Sequence, residues 1–186
     1  SYEYGKKHFD LTEKLLEIEK RIPSLEKIIL VDFLGKGYDI SKFTKAVDYK
    51  TIIQEHLTND QIEFTKVPFA HPVYIMYSSG TTGKPKCIVH SQGGTLIQLI
   101  KEHGLHCDLK QHKTTFFFTT CGWMMWNWLV AGLYFGSTVV LYEGSPTEPS
   151  PEYFFNIIER EEINIFRTSP QFLKALEDTG ARFTKY

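Results

Sequence analysis

Long hydrophobic runs are missing from this 186-residue chain. Stretches such as "VYIMY" (Val73–Tyr77) fall far short of the roughly 20 apolar residues of a bilayer span, which points to a soluble protein. Charge of one sign is lacking too: 21 Lys and Arg against 22 Asp and Glu leave a net charge of −1. No basic field is therefore on offer to nucleic acid or to an anionic membrane. Cysteine is scarce, with Cys87, Cys107 and Cys121 an odd set of three without a C-x-x-C spacing. A reduced, cytoplasmic setting is expected in preference to a disulfide framework. His103, His106 and Cys107 sit close together, but no second ligand pair flanks them, so they read as a polar helix end and not as a metal site. Repeats and low-complexity segments are absent. There is no initiator Met, and "SYEYGKKHFDL" has no apolar signal-peptide core, so the chain is expected to be part of something longer.

What is present is core-forming material, 42% hydrophobic and 15% aromatic, enough for a real domain interior. In "DLTEKLLEIEKRI", Asp10 is placed as a helix cap with Glu13 three residues on, and Leu11, Leu15, Ile18 and Ile22 share one face before Pro23. "KIILVDF" follows as a β-rich run, and residues 34–66 are less regular, with "YKTIIQEHL" a weak helix. The alternation then sharpens. "VYIMYS", "KCIVHS", "TTFFFTT", "STVVLYEG" and "NIFRTS" read as strands, while "GGTLIQLIKEHGL", "WMMWNWLVAGLYF" and "PEYFFNIIEREE" read as helices. Ser150 with Pro151, and Ser169 with Pro170, are helix-opening pairs. Apolar strands separated by helices indicate an α/β fold, a largely parallel sheet with helices on both faces.

One loop departs from this pattern. "SSGTTGKPK" (Ser78–Lys86) follows an apolar strand and combines glycines, hydroxyls and lysines. It is not a Walker A loop, because Gly80 and Gly83 are too close together and Pro85 stands at the Ser/Thr position. Nor does a G-x-G-x-x-G run open the next helix. Two readings remain open. Glycines that admit close backbone approach, hydroxyl donors and two ammonium groups suit a polyphosphate. The other reading is a mobile surface turn.

"YSSGTTGKPK" resembles the phosphate-loop motif of the acyl-CoA synthetase and adenylate-forming enzyme superfamily. Downstream, "TTCGWMMWNWLVAGLYFGSTVVLYEGSP" is similar to the acyl-pocket motif and following strand of the branches that activate acetate and acetoacetate. The Trp-Met-Met-Trp-Asn-Trp run, and Cys87 where glycine usually follows "PK", resemble the acetoacetyl-specific branch; the likeness is best from Phe64 to Pro146. It implies attack of a carboxylate on the α-phosphate of ATP, giving an acyl-adenylate and pyrophosphate, and then displacement of AMP by the thiol of coenzyme A. The implied substrates are acetoacetate, ATP with Mg²⁺, and coenzyme A; acetate or propionate is the runner-up acid.

The same resemblance implies phosphate contact for Ser79, Gly80, Thr81, Thr82, Gly83 and Lys84, with Lys86 at the edge of the next strand. It implies an acyl pocket at Trp123, Met124, Met125, Trp126 and Asn127, where Asn127 or the Trp126 indole N–H would donate to a 3-oxo group. Plain core is the alternative for the Trp and Met residues. Trp123, Trp126 and Trp128 spread around a helix, so at least one should face away from any pocket. His90 and Ser91 read as a core histidine and a helix cap. No catalytic residue is assigned within the chain. The adenylation lysine, the nucleoside-binding motifs and a mobile C-terminal domain are expected beyond Tyr186, which makes residues 1–186 part of an AMP-binding (adenylation) domain. An inert nucleotide-binding fragment is the reading from a different class.

Overall fold

The computed structural model of the chain describes residues 1–58, 61–78, 83–150 and 152–180. It divides into two units, Ser1–Glu63 and Phe64–Tyr186.

In the first unit, β1 (Tyr2–Tyr4) and β2 (Lys7–Phe9) form an antiparallel hairpin that the sequence reading did not assign. Its turn has positive φ at both Gly5 (55°) and Lys6 (65°), as a right-twisted two-residue hairpin needs. Helix α1 spans Thr12–Arg21. Asp10 does accept the Thr12 N–H, at 2.9 Å, but the helix starts one residue later than expected: Leu11 holds the cap position and supplies no side-chain bond. Strand β3 (Ile28–Leu30) pairs in parallel with β4 (Ala46–Asp48), and Asp48 caps α2 (Tyr49–Glu55) by accepting the Thr51 N–H at 3.1 Å. Strand β4 escaped the sequence reading because three residues are too few to display a period of two.

The second unit opens with β5 (Pro72–Ser78) and β6 (Lys86–Ser91), paired antiparallel with Ser78 opposite Lys86. A connection as short as residues 79–85 returns the chain as a hairpin, since a parallel neighbour needs a longer crossover. Ser91 caps α3 (Gln92–Ile100) through the Gly94 N–H at 3.2 Å, and the helix widens into a π turn over Lys101–His106. Next come β7 (Thr114–Phe117), α4 (Met124–Ala131) with a 3₁₀ turn over Gly132–Phe135, and β8 (Thr138–Val140). Helix α5 (Tyr153–Arg160), β9 (Ile165–Arg167) and α6 (Pro170–Asp178) complete it. Ser169 caps α6 as expected, accepting the Phe172 N–H at 3.1 Å. The expected cap at Ser150 is corrected: Glu152 holds that position in α5, without a side-chain bond.

Strands β8, β7 and β9 form a parallel sheet in that order. The central strand shows why both faces are covered. Phe116 points to α5 and α6, where it joins Phe154, Phe172 and Leu176 in the core. On the other face Phe117 meets Trp128 of α4 edge-on, ring centroids 6.1 Å apart, and Thr115 lies against Gly132. The α/β class and the parallel pairing are as the sequence indicates. The strands nevertheless belong to several small sheets instead of one, with β1–β2 and β5–β6 antiparallel.

Candidate functional site

The β5–β6 hairpin joins the glycine loop to a cavity. Period-two alternation turns Tyr74 and Met76 inward, while Ile75 and Tyr77 are 60% and 70% exposed. At the strand ends the loop begins. Ser79, Gly80, Thr81 and Thr82 lie outside the described residues. Gly83 has φ +108°, and a Cβ built on it would meet no atom of the described residues within 4 Å. Backbone conformation, not space, is what requires glycine there. Lys84 and Lys86 are both exposed, and Lys86 is the first residue of β6. A strand follows this loop, so an anion held here would rely on loop N–H groups, hydroxyls and ammonium ions, without a helix N-terminus.

The cavity has a volume of about 530 Å³. The hairpin contributes Tyr74, Met76 and His90; α3 and its π turn contribute Thr95, Gln98 and Glu102. Helix α4 contributes Met124, Met125, Asn127 and Trp128, and β9 ends in it with Arg167. Positions 124, 127 and 128 are three and four apart and so share one helical face. Of the five residues expected at an acyl pocket, Met124, Met125 and Asn127 line the cavity. Trp123 and Trp126 do not: Trp123 precedes the helix in extended conformation and is 70% exposed, and Trp126 is half-buried on another face. The Trp126 indole is therefore not among the groups lining this cavity. Asn127 Nδ2 donates to Met76 Sδ at 3.6 Å.

Sequence reasoning missed Trp128 and Arg167 as cavity residues, and both had left a signal. Trp128 is one helical turn past Met124. Arg167 is the charge in an otherwise apolar strand, a combination that calls for explanation. Trp128 is 4% exposed, and the Arg167 guanidinium carbon lies 4.4 Å from its ring centroid. Arg167 Nη2 donates to Cys107 Sγ at 2.9 Å. Glu102 accepts from Gln98 Nε2 at 3.2 Å, and the hydrogen-bonded Lys101 ammonium holds its carboxyl below the usual range. Thr95 Oγ1 is buried without a hydrogen-bond partner among the described residues. Among the described residues no His, Cys, Asp and Glu group is arranged to hold a metal ion.

His103 corrects the reading of a polar helix end. It is fully buried, 4.2 Å from the Trp128 ring centroid, with Nε2 2.7 Å from the Trp128 carbonyl. Nε2 therefore carries the proton and donates, which fixes a neutral tautomer and braces the wall that Trp128 forms. Burial pushes the imidazole pKa down from its ordinary value. Unfolded, the ring protonates near pH 6.5; folded, it stays neutral to lower pH. The unfolded state then binds more protons, so stability is full above about pH 6.5 and declines as pH falls from there towards the folded value. Urea midpoints measured between pH 7 and 5.5 should drop more for the parent than for His103→Gln, which can donate to the same carbonyl without titrating. Equal declines would remove His103 from that role.

The sequence profile of the family described as "AMP-binding enzyme" matches residues 5–186. The acetoacetyl-CoA synthetase of Gallus gallus is 46% identical over 182 residues, covering 96% of this chain and 27% of that protein. The acetoacetyl-coenzyme A synthetase of Rhizobium meliloti (strain 1021) is 40% identical, again over 96% of this chain and 27% of its own length. Among solved structures, acetoacetyl-CoA synthetase from Streptomyces lividans superposes with a TM-score of 0.83 at 40% identity, over 97% of this chain and 27% of that one. The chain thus spans about a quarter of the length of these relatives.

Proposed function

This chain belongs to the AMP-binding enzyme family, and we propose that it is part of the adenylation domain of an ATP-dependent acid–thiol ligase acting on acetoacetate. In the whole protein the acid would attack the α-phosphate of ATP, releasing pyrophosphate, and coenzyme A would then take the acyl group and release AMP. Residues Ser79, Gly80, Thr81, Thr82, Gly83, Lys84 and Lys86 are the proposed contacts to the phosphates of ATP. Donors there stabilise the charge that builds on the leaving pyrophosphate. The divalent cation enters with the nucleotide as Mg–ATP.

One observation carries this reading: a single hairpin bears the glycine loop at its end and the cavity along its side. Met76 and Ile88 face each other two residues before the strand ends at Ser78 and Lys86, roughly 7 Å along a strand. An acid in the cavity therefore lies within a short reach of a nucleotide whose β- and γ-phosphates sit in the loop. Met124 and Met125 offer unbranched, adaptable walls for a short chain. The relatives named acetoacetyl-CoA synthetase support that acid over acetate or propionate. The adenylation lysine and a mobile C-terminal domain belong, in this reading, to the rest of the protein.

Acid-dependent exchange of pyrophosphate into ATP tests the proposal. A full-length protein carrying this chain should exchange with acetoacetate and Mg–ATP, and exchange with no short-chain acid would overturn the assignment. The 186-residue chain by itself should release no pyrophosphate above background when given ATP, Mg²⁺, acetoacetate and coenzyme A.

A further inference from the structure

Resting on that reading of the cavity, we propose that Arg167 recognises a second oxygen function on the acid. The site thereby selects short-chain acids with an oxygen acceptor beyond the reacting carboxylate over their plain alkyl isosteres. Arg167 closes the apolar strand β9 and delivers its guanidinium to the cavity that Met76, Met124 and Met125 line. Two anchors hold it. Its guanidinium carbon sits 4.4 Å from the Trp128 ring centroid, and Nη2 donates to Cys107 Sγ at 2.9 Å. Trp128 is itself held through the hydrogen bond from His103 to its carbonyl. A long, flexible side chain is thus fixed before any ligand arrives.

Those anchors leave most of its capacity unused. A guanidinium carries five N–H donors, a sulfur is a weak acceptor, and a ring face attracts the charge without accepting the in-plane N–H groups. Among the described residues no carboxylate lies at ion-pair distance from Arg167, and Glu102, which lines the same cavity, feels its charge without bonding to it. Thr95 Oγ1 borders the same cavity, buried and without a hydrogen-bond partner among the described residues. Both groups are satisfied by a ligand oxygen, and neither by a methylene.

The reacting carboxylate is the wrong candidate for that oxygen. A carboxylate clamped by a guanidinium loses the electron density it needs to attack phosphorus. The oxygen recognised is therefore the distal one, which in acetoacetate is the 3-oxo group. Asn127, which turns its Nδ2 to Met76 Sδ, is the less suited donor of the two.

The experiment pairs acetoacetate with butyrate, acids of equal chain length that differ by a 3-oxo group against a methylene. Acid-dependent pyrophosphate exchange is measured on the full-length protein carrying this chain, as kcat/KM for each acid. The parent should favour acetoacetate, and Arg167→Met should lower the acetoacetate-to-butyrate ratio by between about ten- and a hundredfold. Arg167→Lys keeps the charge without the fork and should fall between. A ratio left unchanged by both substitutions overturns the proposal. If Arg167→Met does not fold, the parent and Arg167→Lys decide: a parent that uses butyrate as well as acetoacetate equally overturns it. Absence of exchange with every acid is a different failure, that of the ligase assignment itself.

Discussion

Gly83→Val combined with Lys84→Ala is expected to slow acid-dependent pyrophosphate exchange by at least about a hundredfold, the usual cost of losing one donor to a transition state. The two substitutions act on different terms. Gly83 has φ +108°, a region that a β-branched residue does not enter without strain. No atom of the described residues lies within 4 Å of a Cβ at that position, so the loss is expected from a re-routed loop. Lys84 is exposed and supplies charge, so Lys84→Ala alone should retain the loop path and lose less. Comparing single and double variants separates backbone from charge. A folded double variant that exchanges at the parent rate would reduce residues 79–85 to an ordinary turn.

Phe154→Ala should produce the largest loss of stability. The side chain is 1% exposed and stands at the centre of an aromatic cluster on one face of the β8–β7–β9 sheet. Its ring centroid lies 4.8 Å from Tyr142, 5.4 Å from Phe172 and 5.5 Å from Phe116. Those contacts join α5 and α6 to the sheet. Truncating a buried Phe costs about 3–5 kcal/mol, made up of lost transfer energy and an unfilled cavity. With a urea dependence of about 2 kcal/mol per molar, the midpoint should fall by about 1.5–2.5 M. Phe154→Leu, closer in volume, should lose clearly less. A shift below about 0.5 M for the alanine variant would show that the cluster does not hold these layers together.

How much could be read in advance differs by element. Helix α6 announced itself through Ser169 and Pro170, because its cap is local chemistry and the serine bonds within its own first turn. Helix α5 had the same kind of pair at Ser150 and Pro151, yet Glu152 took the cap position. A cap motif offers one way to begin a helix, and packing of Phe154 and Ile157 into the interior selects the register. The first hairpin has its signal only in a two-residue turn at Gly5 and Lys6, and lysine is not a residue that advertises positive φ.

The glycine loop, the strand before it, the Trp-rich helix and the α/β alternation are all local features, set by residue type and spacing, and the sequence by itself determined them. They sufficed to reach the family. What tertiary structure alone decided is which side chains share a space. Met124 and Trp128 meet because a helix brings positions four apart together, but Tyr74, Thr95 and Arg167 come from three other segments of the chain. Nothing in their own neighbourhoods specifies that meeting. Arg167 reads locally as a charge misplaced in an apolar strand; only when β9 lies beside β7 and α4 packs on that sheet does it find Trp128 and Cys107. Local sequence fixes dihedral preferences over a few residues, whereas a cavity wall is a sum of long-range contacts that exist only after the layers have packed.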